Sequence, residues 1–153
     1  MRAKTSKSNN KRHYFRLTFQ SPLGAELKII GAEDVGAEMK WYQAALVDLS
    51  AGGARFYTSA PLPETENLLT ELRFTILNVE HRPYGVIVRS ILPEAGHYEY
   101  CIQFSWQDSE TNVLTRMLHQ LALRIRRNPI VSGCSFLTEE ELAAFSPNLT
   151  RLT

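Results

Sequence analysis

The chain has 153 residues, of which 44% are hydrophobic and 22% are charged. This length and composition suit one globular domain with a real core and short tails. The formal net charge of +1 disfavours a general nucleic-acid binder, so any anion site must be local. The basic N-terminus lacks the apolar run of a secretory signal, and no stretch reaches the roughly 20 apolar residues that span a bilayer. We therefore expect a cytoplasmic protein that does not insert into membranes.

The sequence carries no signature of a metal site or of catalysis. Cys101 and Cys134 lie far apart and have no Cys-x-x-Cys or Cys/His cluster around them, so no metal is expected and both thiols should stay reduced. No nucleophile elbow or phosphate loop is present, and Ser50 has no assignable histidine partner. We therefore expect a binding protein that is not an enzyme.

Short β-type runs separated by turns occupy most of the chain. Residues 1–11 are polar and basic, and they predict a flexible N-terminal segment. A first strand over Leu17–Phe19 should end in a turn at Ser21–Gly24, before a second strand over Ala25–Ile30. Six or so short strands of this kind favour an antiparallel barrel or sandwich. The later predicted strands are Ala44–Val47, Ala54–Tyr57, Leu69–Leu77, Tyr84–Arg89 and Tyr98–Phe104.

The pattern becomes helical after the last of these strands. Asp108 and Ser109 are plausible N-cap residues, and Pro129 should stop the helix. A second, short helix should begin near Thr138, where Thr-Glu-Glu-Glu has the spacing of a capping box. One amphipathic helix is therefore expected to pack on the barrel. Its predicted apolar face comprises Val113, Leu114, Met117, Leu118, Leu121 and Ile125.

Two polar motifs stand at the ends of predicted strands. The first is Arg12-His13-Tyr14-Phe15-Arg16, two arginines four residues apart, preceded by Lys11. The second is Asp48-Leu49-Ser50-Ala51-Gly52-Gly53, which has the form Asp-x-Ser-x-x-Gly. Each motif alone is weak, because such compositions are common in tails and turns. Their order in the chain is more informative than either one.

The order of these motifs resembles the PilZ family of bacterial receptors. The resemblance runs from about Lys11 to Arg127 and continues into Cys101-Ile102-Gln103-Phe104, where the family usually has glycine in place of Cys101. It implies a mainly β fold, a six-stranded antiparallel β-barrel with a C-terminal amphipathic helix. The implied domain covers residues 12–127, and residues 128–153 form an extension with a short helix.

The resemblance implies cyclic di-GMP as the ligand, with no cofactor. Arginine presents a planar fork of donors that fits phosphate oxygens and the guanine O6 and N7 acceptors, which suits Arg12 and Arg16. An ionised Asp48 accepts hydrogen bonds from guanine N1 and N2, and Ser50 donates or accepts nearby. Gly53 is expected to allow a positive φ and a close approach to the ligand. Lys11 adds a third cation. A long basic residue just before the first motif arginine resembles the family members that bind a stacked pair of ligands.

Other interpretations remain open. Asp48 and Ser50 are also typical of turn-capping residues, and Arg55 is more simply a surface arginine than a ligand contact. The chain is expected to signal to an unidentified protein partner in motility, pilus, exopolysaccharide or biofilm control, and a homodimer is possible. One alternative is a pilus-assembly adaptor that has the fold without the nucleotide. Another is a barrel that binds single-stranded nucleic acid, which the near-neutral charge disfavours.

Overall fold

The computed structural model describes residues 14–31, 41–91 and 98–145 of the chain. Seven strands and two helices follow one another along these residues. The strands are β1 (Arg16–Gly31), β2 (Trp41–Ser50), β3 (Gly53–Thr58), β4 (Leu69–Ile76), β5 (Val79–His81), β6 (Tyr84–Ile91) and β7 (Tyr98–Ser105). The helices are α1 (Asp108–Ile125) and α2 (Glu139–Phe145).

Six of the strands close into an antiparallel barrel. Their order is β1-β2-β3-β7-β6-β4, and β4 pairs back onto β1, so the ring has no open edge between its first and last strands. The short strand β5 extends β4 as a hairpin outside the ring. The predicted six-stranded antiparallel barrel with a C-terminal helix is confirmed.

The interior of the barrel follows from alternation along the strands. In β4, every second residue from Thr70 to Ile76 is buried, as expected for a strand with one face toward a core. Helix α1 covers this core with Leu114, Leu118 and Leu121, none of which has measurable solvent exposure. The predicted amphipathic helix is therefore confirmed. Neither helix in the described part of the chain is long and apolar enough to cross a membrane.

The predicted turn at Ser21–Gly24 is wrong, because β1 runs without interruption from Arg16 to Gly31. Its register against β2 shifts between Thr18 and Leu23, which marks a bulge. The segment stays extended because residues near position 136 pair with it. The Gly24 N–H donates to the Ser135 carbonyl at 2.6 Å, and the Leu137 N–H donates to the Pro22 carbonyl at 3.1 Å.

The two helix starts differ in how well the sequence predicted them. The residue that precedes α1 is Gln107, whose N–H donates to the Glu110 carboxylate at 3.0 Å, so Asp108 is already helical and neither Asp108 nor Ser109 is the N-cap. The capping box at α2 is confirmed. The Thr138 hydroxyl accepts from the Glu141 N–H at 3.1 Å, and the Glu141 carboxylate accepts from the Thr138 N–H at 2.8 Å.

The segment after α1 lies against the barrel. Leu137 and the α2 residues Leu142 and Phe145 are buried and form a second apolar cluster with Ala45 and Tyr57. Ala45 and Tyr57 oppose each other on β2 and β3, so α2 covers the outer side of that strand pair. A short helix therefore forms within residues 128–153. The domain boundaries at residues 12 and 127 stay predictions.

Candidate functional site

The Asp-x-Ser-x-x-Gly motif forms the tight connection between β2 and β3. Ser50 ends β2 and pairs with Gly53, the first residue of β3. The Ser50 hydroxyl accepts a hydrogen bond from the Gly52 N–H at 3.1 Å and donates to the Gly53 carbonyl at 3.4 Å. Ser50 is almost completely buried. In this structure its hydroxyl therefore shapes the turn, as the capping alternative predicted.

Gly53 allows two strands to approach each other closely. A positive φ was expected, but among the described glycines only Gly133 has one. A Cβ on Gly53 would lie 2.2 Å from the Ile102 carbonyl oxygen, which is far inside van der Waals contact. Glycine therefore lets the backbones of β3 and β7 approach closely at the start of the β3–β7 ladder.

Asp48 is brought together with two arginines on the outer face of the barrel. The side chain is 12% exposed. Arg16 Nη1 donates to Asp48 Oδ1 at 2.6 Å, although the two residues are 32 positions apart in the chain. Arg55 Nε lies 3.4 Å from Asp48 Oδ2. Both carboxylate oxygens therefore face a guanidinium group, and the negative charge of Asp48 is compensated from both sides.

The second of these arginines was assigned to the plain surface, but it lies in the candidate site. Arg55 Nη1 also donates to Glu99 Oε2 on β7 at 3.1 Å. Burial and the nearby Glu99 carboxylate raise the pKa of Tyr57, which lies beside this pair on β3. A sequence signal for Arg55 existed in the hairpin register. Because Ser50 pairs with Gly53, counting outward places Arg55 directly opposite Asp48.

These side chains lie along an open groove of about 440 Å³. It is bordered by strands β1, β2, β3, β6 and β7, and both polar and apolar groups reach it. Of the predicted ligand residues, Arg16, Asp48 and Gly53 line the groove, and Ser50 lies beneath the turn without lining it. Lys11 and Arg12 lie outside the described residues. The groove is lined by Arg16, Asp48, Gly52, Gly53, Ala54, Arg55, Val88, Cys101, Ile102 and Gln103.

Two aromatic residues connect the first motif to the rest of the site. The Tyr14 ring lies against the turn, since a Cβ on Gly52 would approach its Cδ2 to 2.9 Å. Phe15 stacks on His119 of α1 with ring centroids 4.1 Å apart and an interplanar angle of 21°. Both rings pack against the core. Trp106 donates from Nε1 to the Ala51 carbonyl at 2.8 Å and supports the same turn from the β7 side.

The site contains the donors and acceptors for an anionic, hydrogen-bonding ligand. Its arginines offer charged donors, and its carboxylates accept from N–H groups. Within the described ranges, no three His, Cys, Asp or Glu side chains are grouped so that they would hold a metal ion.

Comparisons with solved structures identify the fold. B. subtilis MotI/DgrA, described as an inhibitor of motility, has a TM-score of 0.56 and 16% identity over 76% of this chain and 53% of that chain. The K. pneumonia MrkH–c-di-GMP complex has a TM-score of 0.57 and 18% identity over 76% of this chain and 54% of that chain. The chain thus spans about half the length of these two structures.

A third structure is similar over nearly its whole length. The PilZ domain of E. coli YcgR with c-di-GMP has a TM-score of 0.52 and 15% identity over 76% of this chain and 95% of that chain. No curated protein sequence matches the chain. The family model described as PilZ domain matches residues 10–122, which include both motifs, all seven strands and most of α1. The chain therefore belongs to the PilZ domain family.

Proposed function

We propose that the groove binds cyclic di-GMP and that the chain is a non-catalytic receptor for this second messenger. The observation that carries the proposal is the meeting of Arg16 and Asp48, one from each motif, at 2.6 Å in one groove. Membership of the PilZ family supports it. So do the similar structures of MrkH and of the YcgR PilZ domain, each of which is a complex with c-di-GMP.

The ligand has two kinds of group to recognise, and the groove offers a partner for each. Arg16, which is half exposed, donates to a phosphodiester or to guanine O6 and N7. Asp48 accepts from guanine N1 and N2. Gly53 keeps the turn close to β7, so no side chain fills the floor of the groove at that point. Ser50 contributes by holding the turn that carries Asp48.

Arg12 and Lys11 complete the cation set in this proposal. Tyr14, which contacts the turn, follows Arg12 by only two residues. Two residues of extended chain span about 7 Å, so connectivity keeps Arg12 within reach of the groove. Lys11 then adds a phosphate contact. Ligand contacts to these residues order the N-terminal segment against the barrel.

The ordered N-terminal segment is the proposed signal by which the receptor reports ligand binding to a partner. A protein partner that recognises it would couple the cytoplasmic level of cyclic di-GMP to motility, pilus, exopolysaccharide or biofilm control. The similarity to MotI/DgrA, an inhibitor of motility, is in keeping with this class of process.

Isothermal titration calorimetry tests whether the chain binds cyclic di-GMP in this groove. The purified chain should release or absorb heat with cyclic di-GMP, and Arg16→Ala and Asp48→Ala should each weaken binding by at least about tenfold, the loss expected for a charge-assisted hydrogen bond. Arg82→Ala is the matched control. It removes an exposed arginine paired with Glu80 outside the groove, and it should bind like the parent.

The outcomes separate the proposed functions. No heat from the folded parent would favour the adaptor that lacks the ligand. Equal affinities for the parent and both groove variants would contradict the site. Strong binding of single-stranded oligonucleotides with a steep salt dependence would favour the nucleic-acid alternative, because many phosphates would then be contacted.

A further inference from the structure

Four charged side chains of alternating sign form a row across four strands of the barrel. Arg16 on β1 contacts Asp48 on β2 at 2.6 Å, Arg55 on β3 lies 3.4 Å from Asp48, and Arg55 contacts Glu99 on β7 at 3.1 Å. The two carboxylates have side chains only 12% exposed. Burying a charged carboxylate with so little water around it costs folding free energy unless a cation lies beside it.

The two arginines of this row are held differently. Arg16 is the first residue of β1, its side chain is 49% exposed, and Asp48 is the ion-pair partner that the structure gives it. Arg55 lies inside the β-ladder, opposite Asp48 on one side and Cys101 on the other, and it bridges two carboxylates. Arg16 is therefore the cation that is free to turn toward a ligand. Arg55 remains in place between the two carboxylates.

The contact between Arg55 and Asp48 is incomplete. Arg55 Nε is buried and lacks a well-oriented hydrogen bond, although Asp48 Oδ2 is 3.4 Å away. A buried donor of this kind favours any rearrangement that brings an acceptor closer. When Arg16 leaves Oδ1, the remaining attraction on the Asp48 carboxylate comes from Arg55.

We propose that Arg55, held by Glu99, is a positioning residue that orients Asp48 for the Watson–Crick edge of guanine. The inference rests on the proposed function and goes beyond it by assigning base specificity to a residue outside both motifs. Arg16 turns from Asp48 to the ligand, which opens Oδ1 to a guanine donor. Arg55 fixes the carboxylate plane so that guanine N1–H and N2–H meet the two oxygens together.

Discrimination between bases distinguishes positioning from simple attraction. Cyclic di-IMP has the same phosphates as cyclic di-GMP but lacks the 2-amino group, so it leaves one of these hydrogen bonds unmade. The parent should prefer cyclic di-GMP by at least about tenfold, the value of one hydrogen bond to a charged acceptor. A residue that merely stabilised the fold or attracted phosphate would change both affinities by the same factor.

The test is calorimetry of both dinucleotides with the full chain and four variants. Arg55→Ala should lower the preference to within about twofold of unity, because the carboxylate is no longer held in plane. Arg55→Lys keeps the charge but not the planar fork, so it should recover part of the affinity without the preference. Glu99→Gln should reduce the preference in part. Arg82→Ala should match the parent.

The results distinguish the positioning role of Arg55 from the receptor function of the groove. A full preference in Arg55→Lys would show that charge alone suffices, and an unchanged preference in Arg55→Ala or Glu99→Gln would show that the row does not position Asp48; either result overturns the inference and leaves the receptor function intact. Binding of neither dinucleotide by the folded parent overturns the receptor function itself. Thermal melts of Arg55→Lys and Glu99→Gln separate lost binding from lost folding.

Discussion

Glycine at position 53 shows how a single missing side chain shapes the site. Its Cα faces the Ile102 carbonyl of β7 so closely that a Cβ would lie 2.2 Å from the oxygen. That oxygen belongs to the backbone of β7, which pairs with β3 on one side and with β6 on the other, so it has little room to move. The same glycine ends the turn that carries Asp48, so its packing and the geometry of the groove depend on one another.

Gly53→Ala should lower the free energy of unfolding by about 2 kcal/mol or more, because the added methyl forces β3 and β7 apart. Urea denaturation measures the change. Gly31→Ala is the control, since a Cβ there meets no atom within 4 Å, and it should change stability by less than about 1 kcal/mol. Equal effects of the two substitutions would contradict the close approach at Gly53.

Arg55 was expected to be a surface arginine rather than a ligand contact. A single arginine on a strand carries no local signal of function, and its position matters only because three strands bring Asp48 and Glu99 to it. The hairpin part of this arrangement was predictable by counting from the tight turn. The contribution of Glu99 was not, because it depends on the pairing of β3 with β7 across more than forty residues of chain.

At the level of elements, the sequence predicted those strands and helices whose pattern lies within their own segment. Alternation identified β4 and β7, helical spacing identified α1, and a capping box identified α2. The prediction failed at β1, where Ser21-Pro22-Leu23-Gly24 has the composition of a turn. That stretch remains a strand because Ser135 and Leu137 supply its backbone partners, and no pattern around position 22 reveals partners so distant in the chain.

The β4–β5 hairpin was not predicted either, and it partly buries His81. Leu77 and Asn78 form its turn with positive φ values of 49° and 68°. His81 then pairs with Phe74 and stacks on its ring with centroids 5.4 Å apart. Burial lowers the pKa of His81 below its ordinary value of 6.5, and its Nε2 has no hydrogen-bond partner. The folded chain therefore prefers the neutral imidazole.

This burial predicts a pH dependence of stability. Because the pKa of His81 is lower in the folded chain, the unfolded chain binds the proton more readily, and the free energy of unfolding should fall as the pH drops through about 6.5. Urea denaturation between about pH 7.5 and 5.5 should show this slope in the parent and a smaller one in His81→Phe. The control His119→Phe retains His81 and should keep the slope. Identical slopes in all three proteins would show that His81 is not the source of the pH dependence.

At the scale of the whole molecule, the order of the strands around the barrel is what creates the site. The ring order places β2 between β1 and β3 and places β7 beyond β3, so residues from four strands share one outer face. Helix α1 closes the core and stacks His119 on Phe15, just before β1. Helix α2 covers Ala45 and Tyr57 beside the charged row. The groove is therefore a product of the fold as a whole, although its two motifs can be recognised in the sequence.

The most direct test of the central claim is an NMR titration of the ¹⁵N-labelled chain with cyclic di-GMP. We expect chemical-shift changes at the backbone amides of Arg16 and of residues 52–55, with little change at the remote β4–β5 turn at Leu77 and Asn78. Changes confined to the remote turn or to α2, or no changes at saturating ligand, would contradict the proposal that this groove is the cyclic di-GMP site.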